Sequence, residues 1–314
     1  SRMVEEVALF LRGHAGHAHV ASPVGEQDEQ GADLRVAAAG EYRLSLSAAG
    51  SSLGTRCIEI EDAGEVVVTV SLDNPAKGEL RNLGGFAETE VAPHHGEWEK
   101  AGIVPRELWL SAGEKGLLCC DIPQEYGGPG GDFLMTAIVA EELARVGATG
   151  PAFHLHSGIV VPYITHYGSE DQKRHWLPKM VSGEAITAIA MTEPSAGSDL
   201  QAMRTTARMD GNHYVLDGQK VYISNGAIAD VVIVAAKTDP DARGKGISLI
   251  MVETGTAGFT RGRNLDKIGY HAQDTSELFF DNCRVPATNL VGEENRGFVQ
   301  LIQQLPQERL IIAL

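Results

Sequence analysis

The chain has 314 residues, 43% hydrophobic and 22% charged, so it can bury a sizeable core and is not disordered wholesale. A formal net charge of −16 argues against nucleic acid and against an anionic membrane surface, since both need clustered Lys and Arg. It leaves room for an anionic substrate, because one local Arg or a helix N-terminus can hold a phosphate. Cys57, Cys119, Cys120 and Cys283 show no zinc-ligand spacing and read as small packing residues in a reducing compartment. No run is long and apolar enough to span a bilayer.

Residues 1–83 form an atypical segment. VALFLRGHAGHAHV is short, apolar and dotted with His14, His17 and His19, which suggest a metal site but read better as a loose surface tract. IEIEDAGEVVVTVSLD alternates weakly, as a half-buried hairpin does. Nothing in this segment carries chemistry. Residues 84–185 predict a helical domain. FAETEVAPHHGEWEKAG has helical spacing broken by Pro93, and PRELWLSAGEKGLL opens with Pro105 in a first helical turn and places Leu108, Ala112 and Leu117 near one face. DIPQEYGGPGGDF is a Gly/Pro loop, LMTAIVAEELARVG an amphipathic helix, and SEDQKRHWLPKMVSG a helix capped by Ser169. At Ala185 the period changes from 3.6 to 2, and residues 186–292 predict an antiparallel β domain with hairpin signals at Asp210-Gly211 and Asp217-Gly218. From residue 293 a helical period returns, and Leu310, Ile311 and Ile312 are expected to need a partner outside the chain. No dinucleotide-binding glycine motif or P-loop is present.

Three segments carry candidate chemistry. In MTEPSAGSDL a strand delivers Thr192, and the small residues after it let backbone amides and two hydroxyls approach a ligand; an ordinary Pro/Gly turn fits equally. In KVYISNG, Tyr222 and Ser224 fall on one strand face, which suits a flat ring system or a half-exposed strand. In LPQERL, Glu308 sits among apolar residues beside Arg309. It is a general base if a pocket raises its pKa, or half of a surface Glu–Arg pair.

Taken together, EVAPHHGEWEKAG, DIPQEYGGPGG, MTEPSAGSDL, KVYISNG, LDKIGYHAQDTSELFFDNCRVP and LVGEENRGF resemble the acyl-CoA dehydrogenase family, in the family's order, over about residues 84–314. HLHSGIVVPYITHYGS and QLPQERLIIA resemble its long-chain branch. The resemblance implies an α+β fold: an N-terminal helical domain (84–185), a middle antiparallel β domain (186–292) and the truncated start of a C-terminal helical bundle (293–314). It implies FAD, held by Ile189, Met191, Thr192, Gly197, Ser198, Tyr222, Ile223 and Ser224. Ser198 and Arg309 are expected to lie near the substrate, and Glu308 to be the base, as in the long-chain and isovaleryl branches. The implied reaction desaturates a medium- or long-chain fatty acyl-CoA to the trans-2-enoyl-CoA in β-oxidation, and electron-transferring flavoprotein takes the electrons. The implied alternatives are an isovaleryl-type or other short-chain enzyme, or a catalytically incompetent fragment. A homotetramer is expected of the full-length protein. Composition leans towards a bacterial cytoplasm, with the mitochondrial matrix as the alternative.

Overall fold

The computed structural model describes residues 85–313 in full and, ahead of them, the backbone of six strands between Ala8 and Thr69. Residues Ser1–Gly78 cluster as one compact unit and Glu79–Leu314 as another. The strands of the first are β1 (Ala8–Gly13), β2 (Gly16–His17), β3 (Gly31–Val36), β4 (Gly40–Ala48), β5 (Ser51–Ile60) and β6 (Gly64–Thr69). They form a four-stranded sheet in the order β2-β1-β4-β5 and a separate β3–β6 pair. The hairpin expected across residues 58–73 is therefore not made: β5 pairs with β4, and β6 with β3. Alternation marks a strand but does not name its partner. The side chains of His14, His17, His19 and Cys57 lie outside the described residues.

The second unit opens with a π-helical turn, Ala87–Val91, that runs straight into α1 (Ala92–Ala101). Pro93 was expected to break this helix. It sits instead in the first turn of α1, two residues after the π-turn ends. The same offset recurs where the π-turn His156–Val160 leads into α4 (Val161–Tyr167) with Pro162 in its first turn. A proline lacks the N–H that would close the preceding turn and its ring crowds the carbonyl there, so widening that turn lets the helix pass. Between them lie α2 (Arg106–Glu114), with Pro105 extended at the cap position rather than inside the first turn, and α3 (Phe133–Arg145). Leu108 and Ala112 are buried as their spacing predicts, and Leu117 is buried beyond the helix end. Asp132 caps α3 by accepting from the amides of Leu134 and Met135, an arrangement worth about 1 kcal/mol. The Ser169 cap of α5 (Glu170–Val181) is a full capping box with Gln172.

The strands that follow are β7 (Thr187–Ala190), β8 (Thr206–Asp210), β9 (His213–Ser224), β10 (Val231–Lys237), β11 (Ile247–Glu253), β12 (Phe259–Asn264) and β13 (Thr275–Pro286). Their sheet runs β11-β10-β8-β9-β13-β12, with β7 added beside β10. Pairing is mainly antiparallel; β10 runs parallel to β7 and meets β8 in parallel at Lys237–Thr206. The Asp210-Gly211 hairpin forms between β8 and β9. The one expected at Asp217-Gly218 does not, because β9 runs unbroken from His213 to Ser224. Gly218 (φ +154°) pairs there with Phe280 beside a bulge in β13, where Asp281 and Asn282 stand opposite Asp217, and a Cβ on Gly218 would lie 2.4 Å from Thr205 Oγ1. Tyr214, Leu216, Val232, Val234, Ile250, Val252, Leu278 and Phe280 pack in the core of this sheet.

The last helix, α6 (Gly297–Ala313), lies against the π-turn His156–Val160. The missing side chain at Gly158 makes that approach possible, since a Cβ there would stand 3.2 Å from Ile311 Cγ1 and 3.3 Å from Thr136 Cγ2. Ile311 is thus buried within the chain, contrary to expectation, whereas Ile312 is 65% exposed. Cys119, Cys120 and Cys283 are free thiols, all buried. Burial pushes the Cys120 thiol up to about 12 and Cys283 to about 11, too high for either to act as a nucleophile. Among the described residues no helix is long and apolar enough to cross a membrane, and no group of three His, Cys, Asp or Glu side chains could hold a metal ion.

His156 ties the π-turn to the sheet. Thr187 N–H donates to its Nδ1 at 3.2 Å, which leaves the proton on Nε2, facing the Met180 carbonyl at 3.1 Å. Burial pushes its pKa from 6.5 down to about 4. A folded pKa below the unfolded one means that the unfolded chain takes up the proton first as pH falls. The neutral imidazole's contribution is therefore intact above pH 6.5 and is lost between pH 6.5 and about 4, a total of about 3 kcal/mol. Urea unfolding across this range should show stability falling with pH, and the slope should be shallower in His156→Gln; equal slopes would contradict the assignment.

Candidate active site

The strip Met191–Ser198 leaves the end of β7 and turns at once. Glu193 and Ala196 exchange backbone hydrogen bonds in both directions, at 2.8 and 3.1 Å. The amides of Thr192, Gly197 and Ser198 make no hydrogen bond among the described residues, and Gly197 and Ser198 are exposed. These amides and the Thr192 and Ser198 hydroxyls form an edge of hydrogen-bond donors.

A buried ion pair fixes the strip to β9. Lys220 Nζ lies 2.8 Å from Glu193 Oε1 and also donates to the Met191 carbonyl at 3.0 Å. The other acceptor positions of Glu193 are filled by the amides of Arg204 and Thr205. Neither side chain reaches solvent to any extent, at 0% and 3% exposure. Burial pushes the Lys220 ammonium below its usual range, and the Glu193 charge opposes the shift. Burial also works to raise Glu193, but Lys220 and the Thr205 and Arg204 donors outweigh it and hold the carboxyl below its ordinary value. The backbone adds a further tie, from Val221 N–H to the Thr192 carbonyl at 2.9 Å.

Tyr222 follows in an uncommon conformation for an aromatic residue, with φ +59°. The β9–β13 register slips here, from Ser276 opposite Ile223 to Leu278 opposite Lys220, so β9 carries one extra residue. The bulge explains why Lys220 points inward while Tyr222, two positions on, is 69% exposed. Tyr222 and Ser224 both lie away from Ile223, whose side chain is 3% exposed in the sheet core. The backbone of Ile223, not its side chain, is the part that lies beside Tyr222 and Ser224 on the outer face. Ile189 is also buried, on the face of β7 opposite the core residues Ala188 and Ala190.

Glu308 belongs to a second cluster. It lies on α6, 6% exposed, and accepts a 2.6 Å hydrogen bond from the hydroxyl of buried Tyr163 on α4. Burial raises its pKa above the ordinary carboxylate value, and the Tyr163 hydrogen bond and Arg309 charge oppose this. The surface Glu–Arg pair considered from sequence is not formed. Arg309 is exposed, on the next position round the helix, and no ion pair joins it to Glu308. The π-turn His156–Val160 adjoins both clusters, through His156 to Thr187 on the strip side and through Gly158 to Ile311 and Gln307 on the Glu308 side.

The structure thus ties Met191 and Thr192 to Lys220 and Val221, directly before Tyr222 on β9. It sets Glu308 apart on its own helix, with no hydrogen bond to the strip among the described residues. Sequence reasoning missed Glu193, Lys220, Tyr163 and His156. On a period of two Lys220 falls with Tyr222 and Ser224, opposite Val221 and Ile223, so its inward turn across the bulge left no signal in the sequence.

Residues 80–184 match the acyl-CoA dehydrogenase N-terminal domain, and residues 188–283 match the acyl-CoA dehydrogenase middle domain. The chain is 58% identical over 230 residues to the mitochondrial long-chain specific acyl-CoA dehydrogenase of Sus scrofa, covering 73% of this chain and 54% of that protein. It is 42% identical over 233 residues to the mitochondrial isovaleryl-CoA dehydrogenase of Pongo abelii, covering 73% and 55%. The crystal structure of an acyl-CoA dehydrogenase from Geobacillus kaustophilus superimposes with a TM-score of 0.76 at 50% identity, covering 78% of this chain and 65% of that one. The chain spans about half the length of the curated relatives it matches, 54% and 55% of the two named here. Two consecutive domain matches, these identities and a shared fold through both helices and sheet place the chain in the acyl-CoA dehydrogenase family.

Proposed function

We propose that this protein dehydrogenates long-chain fatty acyl-CoA thioesters between Cα and Cβ, using FAD, and releases the trans-2-enoyl-CoA. The observation that carries the reading is Glu308, a buried carboxylate whose pKa is raised by its burial and whose position is fixed by Tyr163. A carboxylate moved towards neutrality in an apolar site is what abstraction of a weakly acidic α-proton needs. Glu308 takes that proton, and hydrogen bonds to the thioester carbonyl stabilise the charge that develops there.

The residues present fit a flavin. Thr192, Gly197 and Ser198 offer unpaired amides to a polar ring edge, Thr192, Ser198 and Ser224 offer hydroxyls, and Tyr222 offers an exposed aromatic face. When bound, FAD supplies the two-electron acceptor for the β-hydrogen. Met191 contributes to the same edge, and Ile189 and Ile223 back it from within the sheet. Ser198 and Arg309 face the substrate, Arg309 as an exposed cation for the anionic CoA portion. Electron-transferring flavoprotein is the expected electron acceptor, and the full-length protein a homotetramer. The two curated relatives named above are mitochondrial, which favours the matrix over a bacterial cytoplasm.

Chain length is tested by anaerobic mixing with a panel of thioesters, following loss of the flavin's visible absorbance. Palmitoyl-CoA is expected to bleach it faster than butyryl- or isovaleryl-CoA. Faster bleaching by isovaleryl-CoA would move the protein to the branched-chain side of the family.

A further inference from the structure

We propose that Tyr163 is a positioning residue for the reaction, its hydroxyl holding one oxygen of Glu308 so that the other stands ready for the substrate's α-proton. The inference rests on reading Glu308 as the base.

The geometry is specific. The Tyr163 hydroxyl meets Glu308 Oε1 at 2.6 Å, joining residues 145 apart in sequence through two buried side chains. Oε2 accepts no hydrogen bond among the described residues, and it is absent from the buried polar atoms that are sealed in without a partner. The carboxylate is therefore held at one oxygen and open at the other. Tyr163 is itself fully buried on α4, its ring 6.2 Å from that of Tyr167. Burial and the adjacent carboxylate both push its phenol far above the usual range, so it stays a donor throughout the working pH range.

A donor to the ionised form stabilises that form. Tyr163 thus opposes the burial that raises Glu308, and holds its pKa lower than burial alone would. Few other groups compete for this role. Arg309 is the neighbouring cation on α6. His166 and Tyr167, further along α4, are engaged by Gln304. On the π-turn, His156 is taken up by Thr187 and Met180. On β11 the charged residue is Glu253, exposed at the strand's end, and in the turn Pro240–Gly246 the charged residues Asp241, Arg243 and Lys245 are exposed.

The test is a carbon-13 titration of the Glu308 side-chain carboxyl in glutamate-labelled, flavin-loaded protein, its resonance assigned by loss in Glu308→Gln. Tyr163→Phe keeps the ring and removes only the hydroxyl. It is expected to raise the carboxyl midpoint by about one to two pH units, and to move the acid limb of kcat/KM by the same amount with KM little changed. Fluorotyrosine at position 163, a stronger donor of nearly the same shape, is expected to move both downward. A midpoint and an acid limb unmoved by either change would overturn the positioning role. Full activity in Glu308→Gln would overturn the proposal by removing the base on which it rests, and a dead Glu308→Gln with an unmoved Tyr163 titration would overturn the positioning role alone.

Discussion

Glu308→Gln is expected to slow substrate dehydrogenation by about 10²- to 10⁴-fold, the usual contribution of a positioned general base. The substitution is close to isosteric, and the amide oxygen can still accept from Tyr163, so packing of α6 on the π-turn should survive. What it removes is the ability to take a proton. Flavin content and thioester binding should be unchanged, because neither the donor strip Thr192–Ser198 nor the exposed Tyr222 is touched. Stability gives an independent check with a definite sign. The folded pKa of Glu308 is raised above its unfolded value of 4.5, so the contribution of this group is most favourable in acid and is lost as pH rises through and beyond that range. At neutral pH the buried carboxylate therefore costs stability, and Glu308→Gln should melt above wild type near pH 7, with the gap closing towards pH 4.5. A slower yet more stable variant is the pattern of a group kept for chemistry rather than for folding. Unchanged rate together with unchanged stability would remove Glu308 from the site.

Lys220→Met should produce the largest loss of stability, about 3–5 kcal/mol, which for a unit of this size lowers Tm by roughly 10 °C. The methionine can follow the path of the lysine stem, so the loss comes from leaving Glu193 buried without its cation. Only the amides of Arg204 and Thr205 then face the charge. The second consequence concerns the site. Lys220 also holds the Met191 carbonyl, so the strip carrying Thr192, Gly197 and Ser198 loses its main tie to β9. Flavin content should fall alongside Tm, measured by the ratio of flavin to protein absorbance after purification. Replacing both members, Lys220→Met with Glu193→Leu, removes the unpaired charge and should regain much of the stability but not the flavin. If the double variant is no more stable than Lys220→Met, an unpaired charge is not the cause.

Local periodicity carried most of the fold. The change from a period of 3.6 to one of 2 at Ala185 lies two residues before β7, and Ser169 reads as a cap because its partners Glu170, Asp171 and Gln172 are adjacent in sequence. The misreadings share one physical origin, in that a residue's local preference was overridden by what packs against it. Pro93 does not end its helix, because the turn before it widens. Gly218 does not turn the chain, because Thr205 presses against it and β13 continues past. Ile311 is not left without a partner, because Gly158, far away in sequence, has no side chain.

The candidate site divides in the same way. Glu308 and the residues of MTEPSAGSDL and KVYISNG stand out through short motifs. The groups that set their geometry and charge do not: Glu193 finds Lys220 across 27 residues, and Tyr163 finds Glu308 across 145. A buried pair leaves no local trace, since each member alone looks like a charge or a ring in an ordinary helix or strand. The bulge in β9 that exposes Tyr222 is equally silent, because it is set by how β9 registers against β13, far along the chain.

The most direct test of the whole account is a single anaerobic turnover of the flavin-loaded, full-length protein with palmitoyl-CoA, following flavin colour and thioester products together. The account predicts loss of colour with one equivalent of trans-2-enoyl-CoA formed per flavin; a flavin that keeps its colour with every saturated thioester offered, or that loses it without forming an enoyl product, would contradict it.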